Sequence, residues 1–250
     1  MSSEYEFVTT FPEKHEFAKT LTQSAENNLL SDVNLIVYYE GNAVPKSSNK
    51  VKYIHWNPSS VKQFISNAKH IQNRMIPEHM IVNSKDYDKR KAWQWHATRF
   101  CWKVYAMAEH AQKCSSRYMM WIDSDVEFTS PITREWLKSL HPEGYYSSYI
   151  NRPTRHTETG FISFDTHHPY HDKFWKEMKA WYDDLKIFNI KEGWTDCHVY
   201  DKVRYSAEAQ NVAFFDLVYP QYQNKFEPVW DHTLLINHTK HHKGGRVDKS

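Results

Sequence analysis

The sequence predicts an α/β fold with a mostly parallel central sheet. Three observations carry that expectation. A strand, a helix and a second strand follow one another within the first 40 residues, the order of a βαβ unit. Two continuous apolar runs, at 33–39 and 118–122, have the length and composition of strands covered on both faces. Around them lie stretches whose apolar residues recur every three or four positions, the period of helices that would cover such a sheet.

The elements follow in order. Residues 5–11 (YEFVTTF) are β-rich and stop at Pro12, which marks a first strand. From 13 to 30, Phe17, Leu21, Ala25 and Leu29 repeat every four residues, an amphipathic helix. The run at 33–39 is a buried strand closed by Glu40-Gly41, and 51–56 alternates as a third short strand before Asn57-Pro58. Residues 42–50 and 83–91 are polar and predict loops. One long helix is expected over 91–113, with Ala97, Cys101, Val104, Ala108 and Ala111 on its core side. The strand at 118–122 comes next, then strand-like pieces at 145–150 and 160–165 and a helix over about 172–185. A further helix starts at Thr195, and a strand-like segment at 233–236 precedes a polar, basic tail at 239–250. No repeat, low-complexity tract or linker divides the chain, so one domain over 1–250 is expected.

Composition narrows the classes. The six glycines, at 41, 144, 160, 193, 244 and 245, spell no G-x-G-x-x-G, P-loop or G-x-S-x-G, which argues against a fingerprint dehydrogenase, a P-loop NTPase and an elbow-type hydrolase. Thirty-two basic and 30 acidic residues, well mixed, leave a net charge of +2 and no footprint for a nucleic-acid partner. Three cysteines, Cys101, Cys114 and Cys197, form no CxxC and predict reduced thiols. The N-terminus has no basic flank before an apolar stretch, and nothing approaches 18 consecutive apolar residues. A chain without signal peptide or membrane span is therefore expected, and with it a cytoplasmic location.

The sharpest motif is MWIDSDVEF. An apolar strand ends in Asp123-Ser124-Asp125, and continued alternation would point both aspartates to one side. Like charges that close raise each other's pKa, and a divalent cation with a taste for oxygen ligands relieves the conflict. The alternative is a polar turn with both carboxylates solvated.

This segment resembles the D-x-D motif of GT-A fold glycosyltransferases. The resemblance implies a GT-A-like α/β/α sandwich, with a nucleotide-binding half over about 5–125 and an acceptor half with a metal-closing tail over about 126–245. It implies Mn²⁺ or Mg²⁺ on Asp123 and Asp125, bridging the two phosphates of a UDP- or GDP-sugar, and a carbohydrate or other hydroxyl acceptor. It places the donor's base and ribose near Thr9 and Phe11 at the first strand's end. Arg99 and Lys103, in a basic stripe with His96 and His110, would reach the donor's phosphates or sugar; a solvated helix face is the alternative. Glu158, in the loop ahead of Gly160, becomes a sugar or acceptor contact or an ordinary loop carboxylate. Asp196, in the first turn of a helix capped by Thr195, becomes the general base of an inverting reaction, beside Trp194 as a stacking face. The helix dipole alone is also a full structural reason for a carboxylate there. His238, after the last strand-like segment, would complete the metal shell, and the tail at 240–246 would close over the diphosphate. In a bacterial or viral setting the enzyme would work in the cytoplasm, that of the host if viral. Two rivals remain: a sugar-1-phosphate nucleotidyltransferase, whose glycine-rich basic N-terminal loop is missing here, and a non-catalytic carbohydrate-binding module, which the aromatic content suits.

Overall fold

A computed structural model describes residues 3–13, 17–77, 93–224 and 229–242. Its elements are, in chain order, β1 (Tyr5–Phe11), α1 (Ala18–Asn28), β2 (Asn34–Tyr39), β3 (Val51–His55), α2 (Ser59–Met75), α3 (Ala97–Ala111), β4 (Tyr118–Ile122) and β5 (Val126–Phe128). They continue with α4 (Arg134–Leu140), β6 (Ser147–Ile150), β7 (Glu158–Asp165), α5 (His171–Asp183), α6 (Asp196–Glu208), β8 (Phe214–Asp216) and β9 (Thr239–His241), with short 3₁₀ turns between.

Seven strands form one sheet in the order β3-β2-β1-β4-β7-β6-β8, and β5 pairs with β9 in a separate two-stranded ribbon. β3, β2, β1 and β4 run parallel; β7 is antiparallel to both β4 and β6, and β8 is parallel to β6. The period-two alternation of the strands sorts their side chains into two cores. Val8, Ile36, Tyr38, Met119 and Trp121 face α2, α3, α5 and α6. Phe7, Phe11, Leu35, Val37, Met120 and Ile122 face α1, α4 and the ribbon. Helices on both faces of a mostly parallel sheet make the expected α/β/α sandwich. Among the described residues no helix is long and apolar enough to cross a membrane.

Strand order reverses between β1 and β4. From β1 the chain steps outward to β2 and β3, then returns across β1 to lay down β4 on its other side. Such a switch point opens a crevice at the carboxyl ends of the two strands, where open α/β sheets bind ligands. Asp123 follows the last residue of β4 at this crevice.

Several boundaries differ from the sequence expectation. The 17-residue α2 was not anticipated; Val61, Phe64 and Ala68 are its buried stripe, set three and four residues apart among polar neighbours. α4, β5 and β8 are likewise additions. The long helix resolves into a 3₁₀ turn at Trp93–Trp95 followed by α3. The segment expected as a last strand is a 3₁₀ turn, Leu234–Asn237, which Thr233 caps by accepting from the Leu235 amide. The strand comes next, as β9. The loop expected at 83–91 and most of the closing tail lie outside the described residues.

Candidate metal and donor site

Five elements converge at the switch point. β4 delivers Asp123, and the chain then turns rather than continuing extended, with the Val126 amide donating to the Asp123 carbonyl at 3.2 Å. The two aspartates are therefore brought together by a turn, not by strand alternation. β9 lies antiparallel to β5 with His241 opposite Val126, and the His242 amide donates to the Asp125 carbonyl at 2.7 Å. This pairing sets the His241 Nε2 3.0 Å from Asp125 Oδ1. Ligand atoms of Asp123, Asp125 and His241 all lie within 4.8 Å of one another.

α3 supplies the counter-charge. The Lys103 ammonium donates to Asp123 Oδ1 at 2.8 Å and to the Thr159 carbonyl at 2.6 Å, and stands 3.0 Å from Asp196 Oδ2. It also lies over the Trp121 ring, 5.1 Å from the centroid, while the Trp121 indole N–H donates to Asp123 Oδ1 at 2.7 Å. β7 enters antiparallel to β4, so its first residues stand beside the β4 carboxyl end, and the Asp123 amide donates to the Gly160 carbonyl at 2.8 Å. A Cβ at Gly160 would sit 3.2 Å from His241 Cε1 and 3.4 Å from Trp230, so the missing side chain makes room for the histidine. Finally, α6 presents Asp196 in its first turn, with Thr195 as the capping residue that accepts from the His198 amide. Thr159 donates its hydroxyl to Asp196 Oδ2 at 2.5 Å.

The electrostatics follow from this crowding. Burial pushes the Asp123 carboxyl up, and although Lys103 pulls it down, Asp125 and Asp196 add to the rise, so its net shift is upward. Burial also pushes Asp196 up, but the Lys103 charge and the Thr159 hydroxyl outweigh it and hold Asp196 below the usual carboxylate range. Lys103 is held charged: its burial is overcome by the two aspartates. His241 is likewise raised, because the hydrogen bond and charge of Asp125 exceed the effect of burial. Three carboxylates facing one ammonium leave the pocket short of positive charge. Its donor set, two carboxylates and an imidazole, suits a divalent cation such as Mn²⁺ or Mg²⁺. The His241 Nδ1 is buried with no hydrogen-bond partner, so the ring is held by its contact to Asp125 and by packing on Trp230, 4.8 Å between centroids.

The other expected residues fall in different places. His238 does not join the carboxylates; its Nδ1 is 3.0 Å from the Ser130 hydroxyl and its ring packs on Trp136. That expectation is corrected: the histidine of the cluster is His241, because β9 begins three residues after the segment assigned as a strand. Thr9 is fully buried on β1, and its hydroxyl has no hydrogen-bond partner. Phe11 is a core residue, edge-on to Tyr39. Arg99 is exposed in the first turns of α3, one turn before Lys103. Glu158 is paired with Arg152 at 3.0 Å and accepts from the Gly160 amide at 3.3 Å, and its charge reaches His241. Trp194 is 1% exposed and packs between Trp95 and Phe188, so it offers no stacking face. Sequence reasoning missed Thr159 and Cys197, whose sulfur is 3.0 Å from the Thr159 hydroxyl. Their proximity depends on how β7 meets α6, for which the sequence carries no local signal.

Known structures share this fold. Core-mannan synthase A from Aspergillus fumigatus, in its Mn/GDP form, aligns over 85% of this chain and 73% of its own, with 10% identity and a TM-score of 0.53. A glycosyltransferase involved in the glycosylation of the major capsid of PBCV-1 aligns over 96% of this chain and 93% of its own, with 11% identity and a TM-score of 0.50. No family model matches the sequence, and no curated protein does. The chain thus has a GT-A-like glycosyltransferase fold, at sequence identities that carry the fold alone.

Proposed function

We propose that the chain is a metal-dependent glycosyltransferase that moves a sugar from a UDP- or GDP-sugar to a hydroxyl acceptor. The observation that carries this is the grouping of Asp123, Asp125 and His241 at the carboxyl end of β4, with Lys103 behind it. Asp123, Asp125 and His241 would hold Mn²⁺ or Mg²⁺. Once bound there, such an ion supplies Lewis-acid charge against the leaving diphosphate.

The remaining steps belong to the chain's own groups. Lys103 fixes the Asp123 carboxylate through Oδ1 and keeps its own charge at any working pH. Arg99, free to swing from the exposed face of α3, is proposed to meet the donor's phosphates as a bidentate fork. The carboxyl end of β1 would form the wall nearest the nucleoside through its backbone, with the Thr9 and Phe11 side chains buried behind it. Asp196 is ionised at neutral pH, and Lys103 and Thr159 both occupy its Oδ2. The proposed base is its other oxygen, which would take the proton of the attacking hydroxyl, with inversion at the anomeric carbon. A second reading rests on the 3.0 Å Lys103–Asp196 pair: a carboxylate held that acidic is a weak base, and Asp196 then serves as fixed counter-charge to Lys103, leaving Glu158 nearest the sugar.

Calorimetric titration with UDP and GDP, with and without Mn²⁺, tests the main reading. Metal-dependent binding of a nucleoside diphosphate is expected. Binding of sugars without nucleotide would favour a carbohydrate-binding module, and pyrophosphate release from a nucleoside triphosphate would favour a nucleotidyltransferase. Asp196→Asn then separates the two roles of that residue. As base, its loss lowers transfer by ~10²–10⁴-fold with an inverted product in the wild type; a retained anomer by NMR gives the role to Glu158.

A further inference from the structure

A second group of metal-ligating side chains lies at the opposite end of the sheet. Glu6 stands near the start of β1, while His110 is in the last turn of α3 and Cys114 in the turn that follows. Ligand atoms of the three lie within 4.8 Å of one another. His110 Nε2 is 2.9 Å from Glu6 Oε1, and the Cys114 sulfur is 3.6 Å from the same oxygen. Tetrahedral zinc, with Zn–N and Zn–O near 2.0–2.2 Å and Zn–S near 2.3 Å, keeps its ligand atoms roughly 3.3–3.7 Å apart. The 3.6 Å spacing falls inside that range and the 2.9 Å spacing is a few tenths of an ångström short of it, so the ligands need only small adjustments.

The surroundings are those of a metal-bound histidine. His110 is 7% exposed, and its other ring nitrogen is 3.2 Å from the hydroxyl of buried Tyr38, the kind of outer partner that fixes tautomer and ring orientation in zinc sites. Its ring also packs edge-on against Tyr38. Glu6 remains 15% exposed, which leaves a path for an ion and room for a water in a fourth position. Three ligands of three chemistries, thiolate, imidazole and carboxylate, suit a borderline-soft ion better than they suit Mg²⁺ or Mn²⁺.

We propose that Glu6, His110 and Cys114 form a second metal site, selective for zinc-class ions, that ties the amino end of β1 to the carboxyl end of α3. Binding would deprotonate the thiol and release its proton to solvent. Because the folded chain brings the three ligands together, such an ion would bind it more tightly than the unfolded chain and stabilise the fold without entering the cleft at Asp123.

Co²⁺ added to the full-length protein provides the test, because a thiolate-to-metal charge-transfer band reports a cysteine ligand and is silent at the Asp123–Asp125–His241 group. One equivalent should give the band, and Zn²⁺ should bleach it stoichiometrically. Cys114→Ser should abolish the band while leaving Mn²⁺-dependent nucleotide binding unchanged. Tyr38→Phe should keep the band and weaken the affinity ~10–100-fold, the usual effect of losing an outer-shell partner. Absence of the band in the wild type, or its survival in Cys114→Ser, overturns the proposal. A Tyr38→Phe affinity equal to wild type removes the argument from the ring's second nitrogen.

Discussion

Lys103 meets two carboxylates at once, 2.8 Å from Asp123 and 3.0 Å from Asp196, with its own side chain 12% exposed. Removing one partner of a buried charge network leaves the others uncompensated, at a cost of about 3–5 kcal/mol. Lys103→Met should therefore lower unfolding stability by that amount in urea titrations without added metal. A loss under about 1 kcal/mol, the worth of a surface pair, would mean that solvent already screens these charges. The histidines give a second contrast. His241→Ala should remove Mn²⁺-dependent nucleotide binding, whereas His238→Ala, whose ring bonds Ser130 and packs on Trp136 away from the carboxylates, should leave it intact; calorimetry on both variants decides. At this scale the carboxylate pair and Lys103 were legible, because a buried strand ending in charge and a basic residue on the preceding helix are local patterns. Thr159 and Cys197 were not: the neighbouring carboxylates, Glu158 and Asp196, carry the local signal, and the contact between the Thr159 hydroxyl and both Asp196 and Cys197 depends on how β7 meets α6.

Among the elements, α6 shows how a helix start can position chemistry. Thr195 caps it, and its hydroxyl also lies 2.8 Å from His198 Nδ1, so one side chain secures the first turn from which Asp196 projects. Thr195→Ala should cost ~1 kcal/mol of stability, a usual value for a lost cap, and an unchanged denaturation midpoint would show that the turn is held by packing instead. This element was legible from Thr195 and the Val199, Val203 spacing. α2 was not, although Val61, Phe64 and Ala68 have helical spacing, because the polar residues between them dilute the pattern and no side chain caps its start. The end of the chain shows how costly a small slip becomes. Leu234, Leu235 and Ile236 look like a strand by composition, yet Thr233 and the Trp230 carbonyl fold them into a turn. The strand begins at Thr239 rather than Thr233, and the histidine beside the carboxylates becomes His241 instead of His238.

The whole molecule carries a pH dependence set by neutral buried histidine. His141 is 2% exposed, accepts from the Ser163 hydroxyl at one nitrogen and donates to the Tyr145 carbonyl at the other, and burial lowers its pKa to about 4. An unfolded chain protonates this ring below about 6.5 while the native chain does not until about 4, so the unfolded state binds more protons across that window. Stability should fall as pH drops from 6.5 to 4, by up to about 1.4 kcal/mol per pH unit for one such group. His141→Gln should flatten the slope seen in urea midpoints at pH 7 and pH 5; an equal slope in the variant would assign the dependence elsewhere. Overall architecture was legible because apolar runs and helical periods repeat along the chain, while the β5–β9 ribbon was not, since three-residue strands leave no periodicity to read. That ribbon has a kinetic consequence. Asp125 and His241 are 116 residues apart in sequence, and each doubling of such a loop adds only ~0.6 kcal/mol to its closure, but non-local contacts of this kind form late in folding. A clasp absent from the transition state slows unfolding and leaves refolding untouched. Mn²⁺ held across it should therefore lengthen the lifetime of the folded chain in stopped-flow unfolding, turning the last contact made into the first that must open.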